Sequence, residues 1–226
     1  MARKPRIAPG GMVYHVLNRT AGKFKFLRRP KDYDAFENLL IQAHAKHPLR
    51  ILSYCFMPTH WHFVAYPEGD GDLTAFFRWL THTHAMRWRV AHGTVGYGHL
   101  YQGRFKSFLV ERDEYLLNVC RYVERNALTA GLVERAEQWR WNSLWAREHG
   151  SDALRAILSP WPMERPGDWV EHVNEPISAK ELQRLQECVA RGRPLGSEAW
   201  TRRVVAKLHL EHTIQPKGRP PVSKQP

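Results

Sequence analysis

The chain has 226 residues, enough for one substantial core with an appendage. Its 34 lysine and arginine residues exceed its 22 acidic residues, which gives a net charge of +12 and a pI near 9.9. This surplus favours a polyanionic partner, nucleic acid before others. The three cysteines lie far apart without a CxxC pair, so a zinc ribbon or a disulfide framework is not expected and a reducing cytoplasm is. The sequence shows no long apolar run and no secretory leader, so we expect no membrane span.

The placement of the basic residues is more informative than their total. Residues 1–29 hold eight basic side chains and no acidic one, and residues 73–110 contain no aspartate or glutamate. Residues 191–226 carry eight basic and two acidic side chains, a net charge of 8 − 2 = +6. A generally basic soluble surface would account for the total, but less easily for the acid-free blocks.

The first 130 residues predict alternating strands and helices. Hydrophobic periodicity and turn residues place these elements in chain order: strand 12–18, helix 31–47, strands 50–57 and 60–67, helix 72–92, strand 105–110 and helix 113–130. The order β-α-β-β-α-β-α is typical of an α+β fold, the ferredoxin-like split β-α-β unit. We therefore predict an antiparallel sheet backed by helices, with one helix added.

The organisation changes after Gly131. Ser178 and Glu181 form the sequence pattern of a capping box and predict a helix, and Ser197 predicts a further helix through about residue 210. We predict one domain over residues 1–135 and a helical C-terminal extension over 136–210. The proline-rich, basic tail over 211–226 is expected to be disordered on its own.

The motif His60-Trp61-His62 lies within a predicted strand. Histidines two residues apart on a strand point to the same face, so both imidazoles can reach one cation while Trp61 packs into the core. By itself the pair favours a metal site only modestly over two structural histidines. A zinc site that includes Cys55 is an alternative, but Cys55 is an odd number of residues from both histidines and is expected to face away from them.

The predicted helix 113–130 carries a second set of candidate residues. Tyr122 and Asn126 are four residues apart and share a face, so they could supply a nucleophile and a third metal ligand. Tyr115 is a rival nucleophile on nearly the same face, but position 119 offers no oxygen ligand, and we expect Tyr115 to lie in the core. The second histidine pair, His82 and His84, lies on a predicted helix, where such residues diverge, and we expect surface or DNA-facing positions.

Met57-Pro58-Thr59-His60-Trp61-His62 resembles the His-hydrophobic-His signature of single-tyrosine transposases in the HUH nuclease superfamily. Blocks similar to those that follow in this family occur in the same order: YQGRFKS at 101–107, YLL at 115–117, RYVERN at 121–126, AGLV at 130–133 and WNS at 141–143. The resemblance covers roughly residues 10–145 strongly and the C-terminal part more loosely. The variety that the chain most resembles is the REP-associated tyrosine transposase. One departure is Ala127, where the family usually has proline, which puts the local helix end in doubt rather than the chemistry.

The resemblance implies that His60, His62 and Asn126 hold a divalent cation, Mg²⁺ or Mn²⁺, which polarises the scissile phosphate. It also implies that Tyr122 attacks the phosphorus of single-stranded or hairpin DNA, such as a repetitive extragenic palindrome. The product would be a 5′-phosphotyrosine link and a free 3′-hydroxyl, and a second strand's 3′-hydroxyl could reverse the step. The alternative is a DNA-binding regulator that kept the fold and lost cleavage, against which the four intact residues argue.

Basic residues are the expected DNA contacts. We predict contacts from these side chains: Arg19, Arg78, Arg104, Lys106, Arg121, Arg193, Lys217 and Arg219. Arg193 and Arg219 lie in Gly-Arg-Pro segments that resemble minor-groove hooks. We expect a monomer or homodimer without membrane contact, in the bacterial cytoplasm and associated with the nucleoid.

Overall fold

The computed structural model describes residues 6–215 and contains one four-stranded antiparallel sheet with the strand order β2-β3-β1-β4. The strands are β1 (Val13–Arg19), β2 (Arg50–Phe56), β3 (His60–Tyr66) and β4 (Lys106–Val110). Two long helices, α1 (Pro30–Lys46) and α2 (Asp72–Ala91), connect them. This is the ferredoxin-like arrangement, so the predicted α+β fold class is confirmed.

The remaining helices follow β4. They are α3 (Glu114–Glu124), α4 (Asn126–Thr129), α5 (Ser143–His149), α6 (Asp152–Ala156), α7 (Trp169–Asn174), α8 (Ala179–Arg191) and α9 (Glu198–Lys207). The helix predicted over 113–130 is thus divided at Arg125, and the last helix ends three residues earlier than expected. Residues 211–213, which the sequence places in the tail, form a short 3-10 helix in which Thr213 is buried.

The alternation of side chains along the strands gives the sheet two different faces. One face carries large apolar residues, among them Trp61 and Phe63 of β3, and packs against α1 and α2 in an aromatic core. The opposite face carries both His60 and His62 and lies under α3. The period of two therefore buries Trp61 while it presents the two histidines to the helix.

The C-terminal extension packs on both sides of the sheet: Leu154, Ile157 and Val204 join the core of α1 and α2, whereas Trp169 and Leu185 pack on the side of α3. The buried Glu124 carboxylate joins α3 to the extension, because it accepts hydrogen bonds from Ser53 of β2 (3.2 Å), Ser143 of α5 (2.6 Å) and Trp169 of α7 (2.7 Å). Buried charge requires such partners. The extension and α3 therefore share one core, while the boundary at residue 135 stays a prediction.

Segments of the extension also pair with both edges of the sheet. On β2, the Phe56 amide donates to the Trp141 carbonyl (2.9 Å) and the Ser159 amide donates to the Ile51 carbonyl (2.9 Å). On β4, the Leu195 amide donates to the Leu109 carbonyl at 2.8 Å.

Among residues 6–215, no helix has the length and apolar character needed to cross a membrane.

Candidate active site

Strands β1 and β3 build the floor of the site. Their antiparallel register sets Arg19 directly opposite His60 and Leu17 directly opposite His62. Directly opposed residues project from the same face of a sheet. The two histidines and Arg19 therefore point together toward α3.

Helix α3 completes the site with Tyr122. A cavity of about 300 Å³ is lined by Leu17, Arg19, Thr59, His60, His62 and Tyr122. The ring centroids of His60 and His62 are 5.0 Å apart, and those of His62 and Tyr122 are 5.7 Å apart. The structure thus brings the predicted nucleophile and the predicted imidazole ligands into one cavity.

Asn126 connects the two predicted roles, because its side chain interacts with both His60 and Tyr122. Burial lowers the pKa of His60, and the bond to Asn126 partly offsets this. Burial raises the pKa of Tyr122, and there the bond to Asn126 acts in the opposite direction. This is the pattern expected when the amide oxygen accepts from the imidazole and the amide nitrogen donates to the phenol oxygen. The break at Arg125 leaves Asn126 within reach of Tyr122.

The hydrogen bonds of the two histidines indicate which nitrogen each could offer to a cation. Nδ1 of His60 lies 2.9 Å from the Thr59 hydroxyl, and Nδ1 of His62 lies 2.9 Å from Nε2 of His15. Nε2 of His62 is thereby left for a cation, and at Nε2 of His60 a cation would take the place of the interaction with Asn126. Burial holds the pKa of both histidines below the usual value, which keeps the imidazoles neutral, as metal ligands must be.

A cation fits this donor set only with oxygen ligands added. In the described part of the chain, no group of three or more His, Cys, Asp or Glu side chains is placed to hold a metal. The two imidazoles would therefore be joined by the amide oxygen of Asn126 and by solvent. A hard cation such as Mg²⁺ or Mn²⁺ keeps several waters, so this incomplete protein shell fits it.

His15 was not recognised as a functional residue from the sequence. It is fully buried on β1, and its ring lies 15° from parallel to that of His62, with centroids 5.0 Å apart. The available signal was the alternation Val13, His15, Leu17 and Arg19, which puts His15 on the same face as the histidine pair. The pairing of β1 with β3 is also needed to show that His15 lies beside His62.

The position of Cys55 corrects the sequence argument against a zinc site. Cys55 lies directly opposite His62 in the β2–β3 register, and therefore on the same face of the sheet rather than facing away. The chain turns at Pro58, so counting residues along one continuous strand was wrong. Cys55 is nevertheless buried beside Met57, and it does not form a three-ligand cluster with His60 and His62 within residues 6–215.

Two further expectations differ from the structure. His84 is buried rather than surface-exposed, and its Nδ1 lies 2.7 Å from the Tyr101 hydroxyl on the α1–α2 side of the sheet, whereas His82 is exposed. Tyr115 is only partly buried and is covered by the Arg184 guanidinium, 4.7 Å from its ring centroid. Tyr115 does not line the cavity of the histidines.

Four of the predicted DNA contacts lie at neighbouring, exposed positions. A second cavity, of about 410 Å³, shares Leu17 and Arg19 with the histidine cavity and includes Arg104 and Lys106. A third, of about 490 Å³, shares Arg104 with the second and reaches Arg78 on α2. Because each cavity shares lining residues with the next, we call the three together the connected depression, and Arg19, Arg104, Lys106 and Arg78 are its cationic side chains.

The other predicted contacts are placed differently. Arg121 is buried, and its guanidinium donates to the carbonyls of Glu175 (2.8 Å) and Pro176 (2.9 Å), so it joins α3 to the extension instead of facing DNA. Arg193 is half-buried in the α8–α9 connection beside β4. Lys217 and Arg219 lie outside the described residues.

Comparison with known proteins agrees with this geometry. A family model described as "Transposase IS200 like" matches residues 10–126, which include every residue of the cavity. A solved REP-associated tyrosine transposase bound to a REP hairpin has a TM-score of 0.53 and 19% identity, with 79% of this chain and 96% of that chain covered. A proposed transposase from Deinococcus radiodurans R1 gives a TM-score of 0.40 at 18% identity, over 54% of this chain and 96% of that chain.

None of the curated proteins compared with the chain matches it. The likeness to the REP-associated transposase extends the shared fold beyond the part that the family model matches. The family match covers more than half of the chain and contains the histidine pair, Tyr122 and Asn126 in the predicted order. The chain therefore belongs to the IS200-like family of transposases, enzymes that act on DNA.

Proposed function

We propose that this transposase cleaves and rejoins single-stranded or hairpin DNA through a covalent 5′-phosphotyrosine at Tyr122. The observation that carries the proposal is that Tyr122 and the two histidines line one cavity, with Asn126 next to His60 and Tyr122. A nucleophile, an oxygen ligand and two neutral imidazoles are the groups that a cation-assisted phosphoryl transfer requires.

In the cleavage step, the Tyr122 oxygen forms a bond to the scissile phosphorus and the bond from phosphorus to the 3′ oxygen breaks. The phenol gives up its proton, and the 3′ oxygen leaves as a hydroxyl. Because burial raises the pKa of Tyr122, the phenol is protonated at neutral pH and must be deprotonated during the attack. Asn126 supports this change, since its hydrogen bond favours the phenolate. Rejoining is the reverse reaction with the 3′-hydroxyl of a second strand.

His60, His62 and Asn126 would hold the divalent cation. When bound, Mg²⁺ or Mn²⁺ would polarise a phosphoryl oxygen and neutralise charge that develops at the phosphate. The imidazoles serve as neutral ligands, and Arg19 adds a positive charge at the mouth of the same cavity. The chain thus offers both a cation site and a fixed cationic side chain for one phosphate.

The connected depression offers a path for the DNA strand on either side of that phosphate. Its cationic residues, Arg19, Arg104, Lys106 and Arg78, can neutralise successive phosphates. A hairpin substrate is favoured because the solved transposase that shares the fold is bound to a REP hairpin. Such a protein would act as a monomer or homodimer at the nucleoid.

The second candidate is a DNA-binding regulator without cleavage activity. The four site residues are all present, and three of them line one cavity with Asn126 next to His60 and Tyr122, and this favours the enzyme. The test is incubation with a panel of single-stranded repetitive hairpins, with and without Mn²⁺, followed by denaturing electrophoresis. A cation-dependent covalent adduct that carries the 5′ phosphate of the cleaved strand supports the enzyme. Binding without an adduct on any hairpin supports the regulator.

A further inference from the structure

His15 and His62 are linked by a buried hydrogen bond between their imidazole rings. Nε2 of His15 lies 2.9 Å from Nδ1 of His62, and the two side chains are 0% and 3% exposed. The residues are diagonal neighbours on β1 and β3, because His15 is opposite Val64 and His62 is opposite Leu17. Phe108 packs on His15 with a centroid distance of 4.8 Å and holds its ring in place.

One hydrogen serves the two facing nitrogens when both rings are neutral. If the hydrogen is on Nδ1 of His62, then His62 donates to His15 and its Nε2 carries a lone pair. If the hydrogen is on Nε2 of His15, then His62 accepts and must carry its own hydrogen on Nε2. Only the first arrangement lets Nε2 of His62 bind a cation.

The surroundings of the other nitrogen of His15, Nδ1, permit the first arrangement, in which His62 donates to His15. Nδ1 of His15 is buried and has no hydrogen-bond partner among the described residues. A donor at that position would force the hydrogen of His15 onto Nε2 and would exclude His62 as a ligand. Without such a donor, His15 can carry its hydrogen on Nδ1 and accept through Nε2.

We propose that His15 is a positioning residue, whose Nε2 accepts the Nδ1 hydrogen of His62 and so fixes the tautomer in which Nε2 of His62 binds the cation. The proposal rests on the proposed function, since it concerns the same cation site. Ligating histidines commonly donate their second N–H to a fixed acceptor, and loss of that acceptor typically weakens metal binding about 10–100-fold. Here a buried neutral imidazole takes the place of the more common carboxylate or carbonyl.

The first test measures Mn²⁺ affinity by calorimetry in wild type and in two variants of His15. His15→Leu removes the acceptor, and we expect Mn²⁺ to bind about 10–100-fold more weakly. His15→Gln carries an amide oxygen near the former position of Nε2, and we expect affinity close to that of wild type. His84→Leu is the matched control, because His84 is also a buried histidine but lies on the other side of the sheet. It should leave Mn²⁺ affinity unchanged.

The second test needs no variant at His15. In protein with ¹⁵N-labelled histidine and saturating Mg²⁺, the NMR shifts should show both His15 and His62 protonated at Nδ1. Wild-type Mn²⁺ affinity in folded His15→Leu would overturn the role of His15 while the cation site stands. Protonation of His62 at Nε2 would overturn the role of His15 and would also remove His62 from the ligands of the cation. Absence of Mn²⁺ binding by wild type would instead overturn the cation site and the proposed function together.

Discussion

Arg19 lies directly across from His60, at the point where strands β1 and β3 bring the basic depression to the histidine cavity. Its guanidinium also donates to the Gln102 side chain at 2.6 Å, which ties the basic loop before β4 to the end of β1. This single side chain therefore belongs both to the site of chemistry and to the proposed path of the DNA.

We expect Arg19→Gln to weaken binding of a single-stranded hairpin and to flatten its salt dependence. Each lost phosphate contact lowers the slope of log K against log salt by about 0.7 on single strands. Fluorescence anisotropy across a salt series measures this slope. The matched control is Arg121→Gln, which removes the same charge from a buried position. It should keep the salt slope and lose about 1–3 kcal/mol of unfolding free energy, because the hydrogen bonds from the buried guanidinium to two carbonyls of the extension are lost. A wild-type slope in Arg19→Gln would contradict the proposed path.

Tyr122→Phe should abolish the covalent DNA adduct and leave hairpin affinity nearly unchanged. The substitution removes one oxygen, and the ring on α3 still packs against His62. Tyr115→Phe is the control, since Tyr115 lies beneath Arg184 and outside the cavity. Denaturing electrophoresis of the labelled oligonucleotide gives the result. An adduct that persists in Tyr122→Phe and disappears in Tyr115→Phe would assign the nucleophile to Tyr115.

His60→Ala and His62→Ala should each stop cleavage and weaken Mn²⁺ binding. Asn126→Ala should have a smaller effect on affinity, because water can replace a neutral amide oxygen as a ligand. Calorimetric titration of the three variants and of the double variant His60→Ala/His62→Ala provides the comparison. Wild-type affinity in the double variant would remove both histidines from the cation site.

Deletion of residues 216–226 should reduce DNA affinity and leave cleavage at saturating DNA intact. This segment carries Lys217, Arg219 and Lys224, so three positive charges are lost. The salt slope should fall by up to about two on single strands. A cut at residue 191 is unsuitable, since it also removes Leu195 from the edge of β4. If the salt slope does not change, these residues do not contact DNA.

Stability should fall with acidification partly because of His84. Burial lowers its pKa from the ordinary 6.5 to about 3, so the folded state binds fewer protons than the unfolded state over this interval. The contribution of neutral His84 to the free energy of unfolding is fully present above pH 6.5. It is lost as the pH falls toward 3, at about 1.4 kcal/mol per pH unit. Urea unfolding at pH 7 and pH 4.5 measures how much unfolding free energy each protein loses between the two pH values. We expect this loss to be about 2–3 kcal/mol smaller in His84→Gln than in wild type. An equal loss in both proteins would mean that His84 is not buried in its neutral form.

The periodicity of the sequence was sufficient to predict the sheet and the two long helices, and the resemblance to single-tyrosine transposases singled out His60, His62 and Tyr122. The sheet and the helices depend on local alternation, which one strand or one helix displays by itself. The contributions of His15 and Cys55 depend on register between strands, and no single segment encodes register. The burial of Arg121 depends on carbonyls more than fifty residues further along the chain, and charge alone gave no sign of it.

Ala127 shows how a departure from a family pattern can be accommodated. Ala127 lies in the same buried cluster as Cys55, and its backbone amide acts to lower the pKa of the Cys55 thiol, which proline, without an N–H, could not do. Helix α4 still begins at Asn126, so the position of the amide ligand does not depend on proline at the next residue. The sequence left this local geometry open, and the contact with Cys55 accounts for it.

The pairing of the C-terminal extension with both edge strands has a consequence for how this protein meets other chains. Unpaired backbone groups at the edge of a sheet act as a template for strands from neighbouring molecules. At Ile51, Phe56 and Leu109 those groups are already bonded within the chain, so strand exchange and fibril-like growth are blocked at these positions. The extension thereby makes it unfavourable for two copies to join their sheets at these sites.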